Sequence, residues 1–311
     1  MAKELPFGAH ATADQVLAGI DLTGKHFVVT GCSSGLGLET MGALAANGAR
    51  VIGLARTLAS AKDACAEVGA LATPLACDLA DFESIGAAAA AIRSLKVSLD
   101  AIVSNAGVAY LPALQTRYGV ERQFLVNHIG HFYLLNELLD SVRDGTGRIV
   151  IVSSSVGVHR APAQGIMFDN LDGHFFYKPT LFYAQSKFAN ALHAKELSRR
   201  LHGRGIAVNS LHPGAARGTQ VNRNRSLTLK AALAAGRVFL RSAAHGAATQ
   251  AMLAASPRVA GISGEYWRNC RIAPGNPLLN NVALARQLWE ISADVVSRHT
   301  VPSPKQMLAA A

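Results

Sequence analysis

The chain has 311 residues, of which 50% are hydrophobic and 16% are charged, and its formal net charge is +10. This composition is typical of a globular protein with a large core and excludes an intrinsically disordered chain. Basic residues are spread along the sequence, apart from a loose cluster between Arg217 and Arg241, and no recognised nucleic-acid-binding module accompanies them, so we predict no nucleic-acid partner.

The cysteines and the N-terminus indicate a cytoplasmic protein. The four cysteines show neither CxxC pairing nor the spacing of zinc ligands, which favours free thiols in a reducing compartment. The first residues lack the apolar core of a signal peptide. No apolar stretch reaches the ~18–20 residues that span a bilayer, so we expect no stable membrane insertion.

Short apolar runs alternate with helix-like segments along the chain. The predicted strands are Lys25–Thr30, Arg50–Leu54, Ala70–Ala76, Ala101–Ser104, Arg148–Val152, Ala207–Leu211 and Gly264–Trp267. The predicted helices include Leu36–Asn47, Asp81–Ser94, Gly119–Ser141 and Leu181–Leu201. This alternation predicts an α/β fold, a single Rossmann-type doubly wound parallel β-sheet with helices on both faces. Ligands bind such a sheet at the C-terminal ends of its strands.

The domain is expected to span residues 25–300, after a lead-in segment at 1–24 and before a loose tail at 301–311. Within it, Ser155–Thr180 and Gly214–Arg225 are rich in Gly, Pro, Asn and polar residues. We interpret both segments as functional loops.

Residues 214–242 are predicted to form a small lid over the substrate pocket. Apolar side chains such as Leu229 and Phe239 alternate there with basic ones such as Lys230 and Arg237, a pattern typical of an amphipathic helix that closes over a ligand. The alternatives are a helix that packs on the domain or on a dimer partner, and loose contact with an anionic membrane.

The first predicted strand ends in a glycine-rich loop that leads directly into a helix. From Thr30 to Gly37 its sequence is TGCSSGLG. Glycine lets a backbone approach a pyrophosphate closely, and a helix N-terminus presents unpaired N–H groups to the anion. A purely structural glycine turn is the alternative, which the position after the first strand disfavours. The residues predicted to bind a dinucleotide here are Gly31, Ser33, Ser34, Gly35, Leu36 and Gly37.

The second predicted strand favours a phosphorylated cofactor. An acidic residue after it would bind the adenosine ribose of NAD, but Arg56 stands there and can meet a 2′-phosphate. An ordinary surface arginine is the alternative. Asp78 and Leu79 follow the third strand, where Asp78 is placed to touch the adenine. After the fourth strand come the small residues Asn105, Ala106 and Gly107, against which the adenosine would lie.

Tyr183 and Lys187 are the predicted proton-transfer pair. Residues four apart share one face of a helix, so the phenol and the ammonium point the same way. A free tyrosine has a pKa near ~10, and a neighbouring cation lowers it towards the range useful for catalysis. This spacing is common by chance, but here it follows both the glycine-rich loop and Ile151–Ser155, a predicted strand that ends in hydroxyls.

Together these motifs resemble those of the short-chain dehydrogenase/reductase family, in particular its members similar to retinol dehydrogenases and to the WW-domain-containing oxidoreductase. The resemblance extends from about Phe7 to about His299. Further segments that carry it are Phe7–Gly24, Val126–Phe132, Phe168–Leu171 and His212–Gly214.

The resemblance implies a role for each matching residue. Tyr183 is expected to act as the acid/base, while Lys187 lowers its pKa and holds the nicotinamide ribose. Ser154 corresponds to the hydroxyl that binds the substrate, and Asn127 to the residue that holds a water in the proton relay. Ser154 and Tyr183 lie 29 positions apart (183 − 154), further than in compact members, which bears on the shape of the substrate pocket.

Other implied contacts lie near the nicotinamide carboxamide, at Pro213, Gly214 and Thr219. His128 and His131 flank Asn127 without an HExxH pattern, so no metal is expected.

The predicted function is therefore NADP(H)-dependent interconversion of a carbonyl and an alcohol on a small apolar substrate, with NAD(H) as a possible cofactor. The family also suggests a homodimer or a homotetramer. Two alternatives remain open: a C=C reductase similar to protochlorophyllide reductase, and a catalytically silent scaffold with the same fold.

Overall fold

The computed structural model of the chain describes residues 6–214 and 242–300. Residues 1–5, the predicted tail at 301–311 and almost all of the predicted lid, including Thr219, Leu229 and Phe239, lie outside the described residues.

The described strands are β1 (His26–Thr30), β2 (Arg50–Ala55), β3 (Ala72–Ala76), β4 (Ala101–Ser104), β5 (Thr116–Arg117), β6 (Val120–Glu121), β7 (Arg148–Val152), β8 (Ala207–His212), β9 (Tyr266–Arg268) and β10 (Arg271–Ile272). The described α-helices are α1 (Ala13–Leu17), α2 (Gly35–Ala46), α3 (Leu58–Val68), α4 (Phe82–Ser94), α5 (Arg122–Phe124), α6 (Gly130–Leu138), α7 (Ser155–Arg160), α8 (Pro179–Arg200), α9 (Ala243–Ala255) and α10 (Val282–Ser297). A π-helical turn at Leu125–Ile129 joins α5 to α6.

The central sheet confirms the predicted doubly wound fold. Its eight strands have the order β10-β9-β8-β7-β4-β1-β2-β3. All of its pairings are parallel except that of β9 with β10. The chain begins at β1, winds outwards to β3 and returns to β4 on the other side of β1. The direction of winding therefore reverses between β1 and β4, where such sheets bind ligands at the C-terminal ends of the strands.

Two apolar layers cover the two faces of the sheet. Successive side chains of a strand point to opposite faces, so Val28 and Ile102 pack in one layer and Val29 and Val103 in the other. Helices α4, α6, α8 and α10 contribute to the first layer, and α1, α2, α3 and α9 to the second. Burial on both faces explains why these strands are nearly continuous apolar runs in the sequence.

The predicted helix Gly119–Ser141 is wrong at its start. Residues 116–121 form the β5–β6 hairpin. Its two-residue turn, Tyr118 and Gly119, has positive φ at both positions, as a type I′ turn requires. The helix begins at Arg122, where the carboxylate of Glu121 caps it by accepting from the N–H groups of Gln123 and Phe124.

The predicted loop Ser155–Thr180 also needs correction at both ends. It opens with the short helix α7, whose N-cap is Ser154. Its last residues belong to α8, which begins at Pro179 because proline fits the first position of a helix. Helices α3, α9 and α10 were not among the elements named from the sequence.

Three histidines lie fully inside the layer formed by α6, α8 and α10. The ring centroids of His128 and His193 are 5.5 Å apart, and Phe132 and Trp289 lie against His193. Burial is the main cause that lowers the pKa of His193 to about 3, that of His131 to about 4, and that of His128 well below its usual value. All three are therefore neutral in the folded protein at pH 7.

The buried histidines make the stability depend on acid pH. Above their unfolded pKa of about 6.5, these histidines are neutral in both the folded and the unfolded state. They therefore do not make the free energy of unfolding depend on pH in that range. Below this pKa the unfolded chain binds protons that the folded chain does not bind. The free energy of unfolding therefore falls by up to about 1.4 kcal/mol per pH unit for each histidine. We expect this loss from about pH 6.5 down to about pH 4, measured by urea unfolding at a series of pH values.

In this range of pH, the free energy of unfolding of His193→Leu should depend less steeply on pH, because one proton fewer is taken up on unfolding. The same change at the exposed His202 is the control. Equal slopes for the unmodified protein and for His193→Leu would contradict the prediction.

Candidate active site

The glycine-rich loop connects β1 to α2 and lies against the end of β4. Gly31 has φ +68°, and a Cβ there would come within 2.8 Å of the Cα of Ala106. A Cβ on Gly37 would overlap the carbonyl oxygen of Gly31 and lie 2.6 Å from Nδ2 of Asn105. Only glycine fits at these two positions, because side chains would push the loop, the helix and the neighbouring strand apart.

This arrangement fits a pyrophosphate. Ser33 is exposed and Ser34 half-buried, and Ser34 immediately precedes the first residue of α2, Gly35. The N-terminal N–H groups of this 12-residue helix follow directly from the loop, as anion binding needs. Leu36 is largely buried and anchors the first turn, since its carbonyl accepts from the Thr40 hydroxyl at 2.7 Å.

The predicted adenosine residues lie at the same edge of the sheet. Arg56 is exposed directly after β2. Asp78 lies in a tight turn after β3, where its carboxylate accepts from the N–H of Ala80 at 3.0 Å. The two turns are neighbours, because the N–H of Cys77 donates to the carbonyl of Ala55 at 2.7 Å. Leu79 is buried, and its carbonyl oxygen lies where a Cβ on Gly130 would stand.

The hydroxyl of Thr30 ties the end of β1 to the end of β4. It accepts from the N–H groups of Asn105 and Ala106 at 2.9 and 3.0 Å, and it lies 2.9 Å from Nε2 of His131. His131 Nδ1 is 3.0 Å from the carbonyl of Asn127. Since a carbonyl can only accept, Nδ1 carries the proton, and Nε2 accepts from the Thr30 hydroxyl. One side chain therefore joins both strand ends to the helix that carries Asn127.

Lys187 is buried beside the end of β7. Its ammonium donates to the carbonyl of Val152 at 3.0 Å, and a Cβ on Gly107 would lie 3.2 Å from its Nζ. Burial lowers the pKa of Lys187 to about 8. The backbone of α8 is fixed at this point, because the Ser153 hydroxyl donates to the Lys187 carbonyl at 2.6 Å.

Tyr183 lies one helical turn before Lys187 on α8 and is 5% exposed. The four-residue spacing places both side chains on one face of the helix. The ring of Tyr110 packs against the Tyr183 ring, with centroids 4.8 Å apart and planes tilted by 49°. Tyr110 belongs to the loop after β4, so this loop borders the pair on α8.

Asn127 occupies the π-helical turn and is completely buried. Its side-chain oxygen accepts from the N–H of Val108 at 2.8 Å. Its amide donates to the carbonyl of Val108 and to the hydroxyl of Ser186, both at 2.9 Å. The side chain therefore connects the loop after β4 to α8. A water held by Asn127 would have to bind its main-chain carbonyl, which also accepts from His131.

Ser154 lies two residues after β7 and caps α7, where its hydroxyl oxygen accepts from the N–H of Val156 at 3.2 Å. It is 6% exposed. Pro213 and Gly214 follow β8 and are half-buried, with Gly214 at φ +88°. The neighbouring residues Ser155 and His212 are in contact, with Oγ and Nε2 3.3 Å apart.

The structure thus places Asn127, Ser154, Tyr183 and Lys187 at the C-terminal edge of the sheet, with the glycine-rich loop on the same edge. Within 6–214 and 242–300, no group of three His, Cys, Asp or Glu side chains is arranged to hold a metal ion. In these same ranges no helix has the length and apolar character needed to cross a membrane.

Comparisons with known proteins show the family to which the chain belongs. Residues 25–166 match the family model of short chain dehydrogenases. The chain is 33% identical to the short-chain dehydrogenase TIC 32 B, chloroplastic, of Brassica napus, over 93% of this chain and 94% of that protein. It is 36% identical to retinol dehydrogenase 14 of Mus musculus, over 88% and 86%. Identity to the WW domain-containing oxidoreductase of Homo sapiens is 35%, over 93% and 72%.

Solved structures show the same fold. A protein from Mycobacterium paratuberculosis matches with a TM-score of 0.73 and 26% identity, over 90% of this chain and 96% of that one. The 3-ketoacyl-(acyl-carrier-protein) reductase of Brucella melitensis, in complex with NADH, matches with a TM-score of 0.61 and 25% identity, over 79% and 96%. The chain belongs to the short-chain dehydrogenase family and is an NAD(P)-dependent oxidoreductase.

Two features of the site were missed by reasoning from the sequence. The first is the contact of Thr30 with His131, which are 101 residues apart in the chain. The second is the packing of Tyr110 on Tyr183. The only sequence signal for the first was the position of His131 four residues after Asn127, on the same face of a predicted helix.

Replacing Thr30 with valine should destabilise the fold. Thr30→Val keeps the shape of the side chain but leaves two N–H groups and one imidazole nitrogen without their partner, which costs about 1–3 kcal/mol of unfolding free energy. Urea unfolding measures the loss. Thr73→Val, at an exposed position of β3, is the control and should change stability by less than about 0.5 kcal/mol. If the two variants were equally stable, the Thr30 contact would not hold the strand ends together.

Proposed function

We propose that the protein interconverts a carbonyl compound and an alcohol on an apolar substrate, with NADP(H) as its preferred cofactor. The observation that carries this proposal is the placement of Tyr183 one turn from an ammonium that is buried at the C-terminal edge of the sheet. A cation held there favours the phenolate form of the neighbouring tyrosine and thus makes proton transfer at neutral pH possible.

The residues that would hold the cofactor fit a dinucleotide. Gly31 and Gly37 leave room for a backbone that approaches a pyrophosphate closely, and the N-terminus of α2 would face its charge. Gly107 leaves space next to the ammonium of Lys187, where the nicotinamide ribose would be bound. When bound, NADP(H) would donate or accept the hydride.

The chain's own residues would transfer the proton to or from the substrate and bind the reacting oxygen. In the direction of reduction, the Tyr183 hydroxyl would donate its proton to the carbonyl oxygen of the substrate; in oxidation it would accept the proton of the alcohol. Ser154 would bind the same oxygen through its hydroxyl, which accepts from Val156 and still has a proton to donate. Asn127 would keep the loop after β4 in register with α8, and its main-chain carbonyl would hold the relay water.

Arg56 supports the preference for NADP(H). It is exposed at the C-terminal end of β2, beside the turn that contains Asp78. No carboxylate directly follows β2 to bind the ribose of NAD and repel a 2′-phosphate, and a guanidinium matches the geometry of a phosphate.

Exposed apolar side chains in two neighbouring segments support an apolar substrate. Leu114 is 40% exposed, and Phe175 and Phe176 are 66% and 45% exposed. They belong to the two segments that lead from Tyr110 to β5 and into α8, and these segments touch, because the Tyr177 hydroxyl donates to the carbonyl of Leu111 at 2.7 Å. Exposed apolar side chains that lie close together are typical of a binding surface for apolar ligands. The similarity to retinol dehydrogenase 14 points the same way.

The first test measures NADPH oxidation with a panel of apolar ketones and aldehydes. The unmodified protein should turn over members of this panel. Tyr183→Phe should lower kcat by ~10²–10⁴, because the ring remains but the transferable proton is lost, while NADPH binding, measured by thermal shift, is retained. Tyr118→Phe, at a ring that stacks on Phe82, is the control. A Tyr183→Phe variant with unreduced kcat would refute the assignment, and an unmodified protein that binds NADPH without turnover would favour a scaffold.

The second test concerns cofactor choice. Arg56→Ala should weaken NADPH binding about ten- to a hundredfold, the worth of one charge-assisted phosphate contact, and leave NADH binding unchanged. Affinities are measured by calorimetric titration of both cofactors. Arg50→Ala is the matched control, since Arg50 is also exposed but stands at the opposite end of β2. Equal affinity of the unmodified protein for the two cofactors would contradict the preference.

A further inference from the structure

Tyr110 has a backbone conformation that the local structure does not explain. Within the described ranges, five residues other than glycine have positive φ: Lys96, Tyr110, Tyr118, Asn269 and Cys270. Lys96 follows the last turn of α4, where helices commonly end in the left-handed region. The other three belong to two-residue turns of the β5–β6 and β9–β10 hairpins. Tyr110, at φ +56°, lies in neither kind of turn.

A contact from outside the loop fixes this conformation. The N–H of Tyr110 donates to the side-chain oxygen of Gln123 at 2.6 Å, and Gln123 is completely buried. The amide of Gln123 donates in turn to the carbonyl of Pro179 at 3.2 Å, and to the Tyr177 hydroxyl at 3.1 Å. Pro179 is the first residue of α8, so Gln123 connects the backbone of Tyr110 to the helix that carries Tyr183.

The strain has a clear result, which is the position of the Tyr110 ring. The ring lies against Tyr183 at a centroid distance of 4.8 Å and is itself only half-buried. Strained backbone that surrounding contacts maintain is concentrated at ligand-binding and catalytic sites, where it aims a side chain. Here it holds an aromatic ring next to the phenol that would exchange a proton with the substrate.

We propose that Tyr110 determines substrate specificity, by packing its ring against a flat aromatic or conjugated group attached to the reacting carbonyl carbon. The proposal rests on the proposed function and makes the substrate class narrower. Two aromatic rings attract each other more than their contact area alone provides, in offset-stacked or edge-to-face geometry. A saturated ring of the same size fills the same space without this additional attraction. The enzyme therefore prefers aryl and conjugated carbonyl compounds to saturated ones of equal size.

This contact exists in the bound substrate as well as in the transition state, so its loss raises KM more than it lowers kcat. A merely structural role of Tyr110, in which its ring only supports Tyr183, would instead lower kcat for every substrate. The division between KM and kcat separates the two roles.

The experiment compares two matched pairs with NADPH: acetophenone with cyclohexyl methyl ketone, and benzaldehyde with cyclohexanecarbaldehyde. In Tyr110→Leu the ratio of kcat/KM for the aryl member to that for the cyclohexyl member should fall about two- to tenfold, mainly through the KM of the aryl member. Tyr110→Phe keeps the ring and should keep the ratio. Tyr118→Leu is the control, because Tyr118 has φ +58° and stacks on Phe82 instead of Tyr183.

The outcomes are distinguishable. The inference is overturned if Tyr110→Leu turns over both members of a pair with an unchanged ratio of kcat/KM. It is also overturned if kcat falls equally for both members. Either result leaves the proposed function standing. An unmodified enzyme that turns over no member of either pair or of the wider panel refutes the proposed function and this inference together. If Tyr110→Leu does not fold, Tyr110→Gly provides the same comparison, since glycine adopts a positive φ without strain.

Discussion

The site depends on one constraint: a charged ammonium has to be kept out of water at the end of β7. Removing a charge from water is costly unless polar groups replace the lost hydration. The carbonyl of Val152 accepts from Lys187, and the oxygen of Asn127 lies nearby, since both it and Nζ are close to the position of a Cβ on Gly107. Burial still lowers the pKa of the ammonium to about 8. The ammonium is thus mostly charged at neutral pH, yet close to the range in which it can lose its proton.

The surrounding structure keeps that arrangement in place. Asn190 donates to the same carbonyl of Val152 at 3.0 Å, which fixes α8 against β7 one turn after Lys187. Asn127 joins α8 to the loop after β4, and Thr30 joins this loop to β1. Side-chain hydrogen bonds therefore bring five chain segments together at one edge of the sheet: β1, the loop after β4, the π-helical turn, β7 and α8. Supporting hydrogen bonds of this kind hold the side chains of a site in fixed positions.

The sequence predicted the sheet well because its strands are buried on both faces. Ala101–Ser104 and Arg148–Val152 were predicted with the bounds that the structure shows. A short apolar run with polar residues on either side leaves little choice of where the strand begins and ends. The hairpin at Tyr118 and Gly119 was missed because two-residue strands give no periodic signal. Contacts such as Thr30 with His131, or Tyr110 with Gln123, need the folded backbone to bring their partners together. The roles of all the predicted site residues, Tyr183 and Lys187 included, remain predictions.

The π-helical turn at Leu125–Ile129 confines the effect of one additional residue to a single turn. A π-turn is an α-helix that contains one additional residue. Because the turn itself accommodates that residue, the helix that follows keeps nearly the orientation of a regular α-helix, in which His131 lies against Thr30 and Gly130 faces the carbonyl of Leu79. Deleting one residue within the turn would restore a regular α-helix and leave these later contacts nearly in place, but it would remove the widened turn that carries Asn127. The contacts of Asn127 with Val108 and Ser186 would then be disturbed. A change of chain length in this segment would therefore act on Asn127 and not on the helix after it.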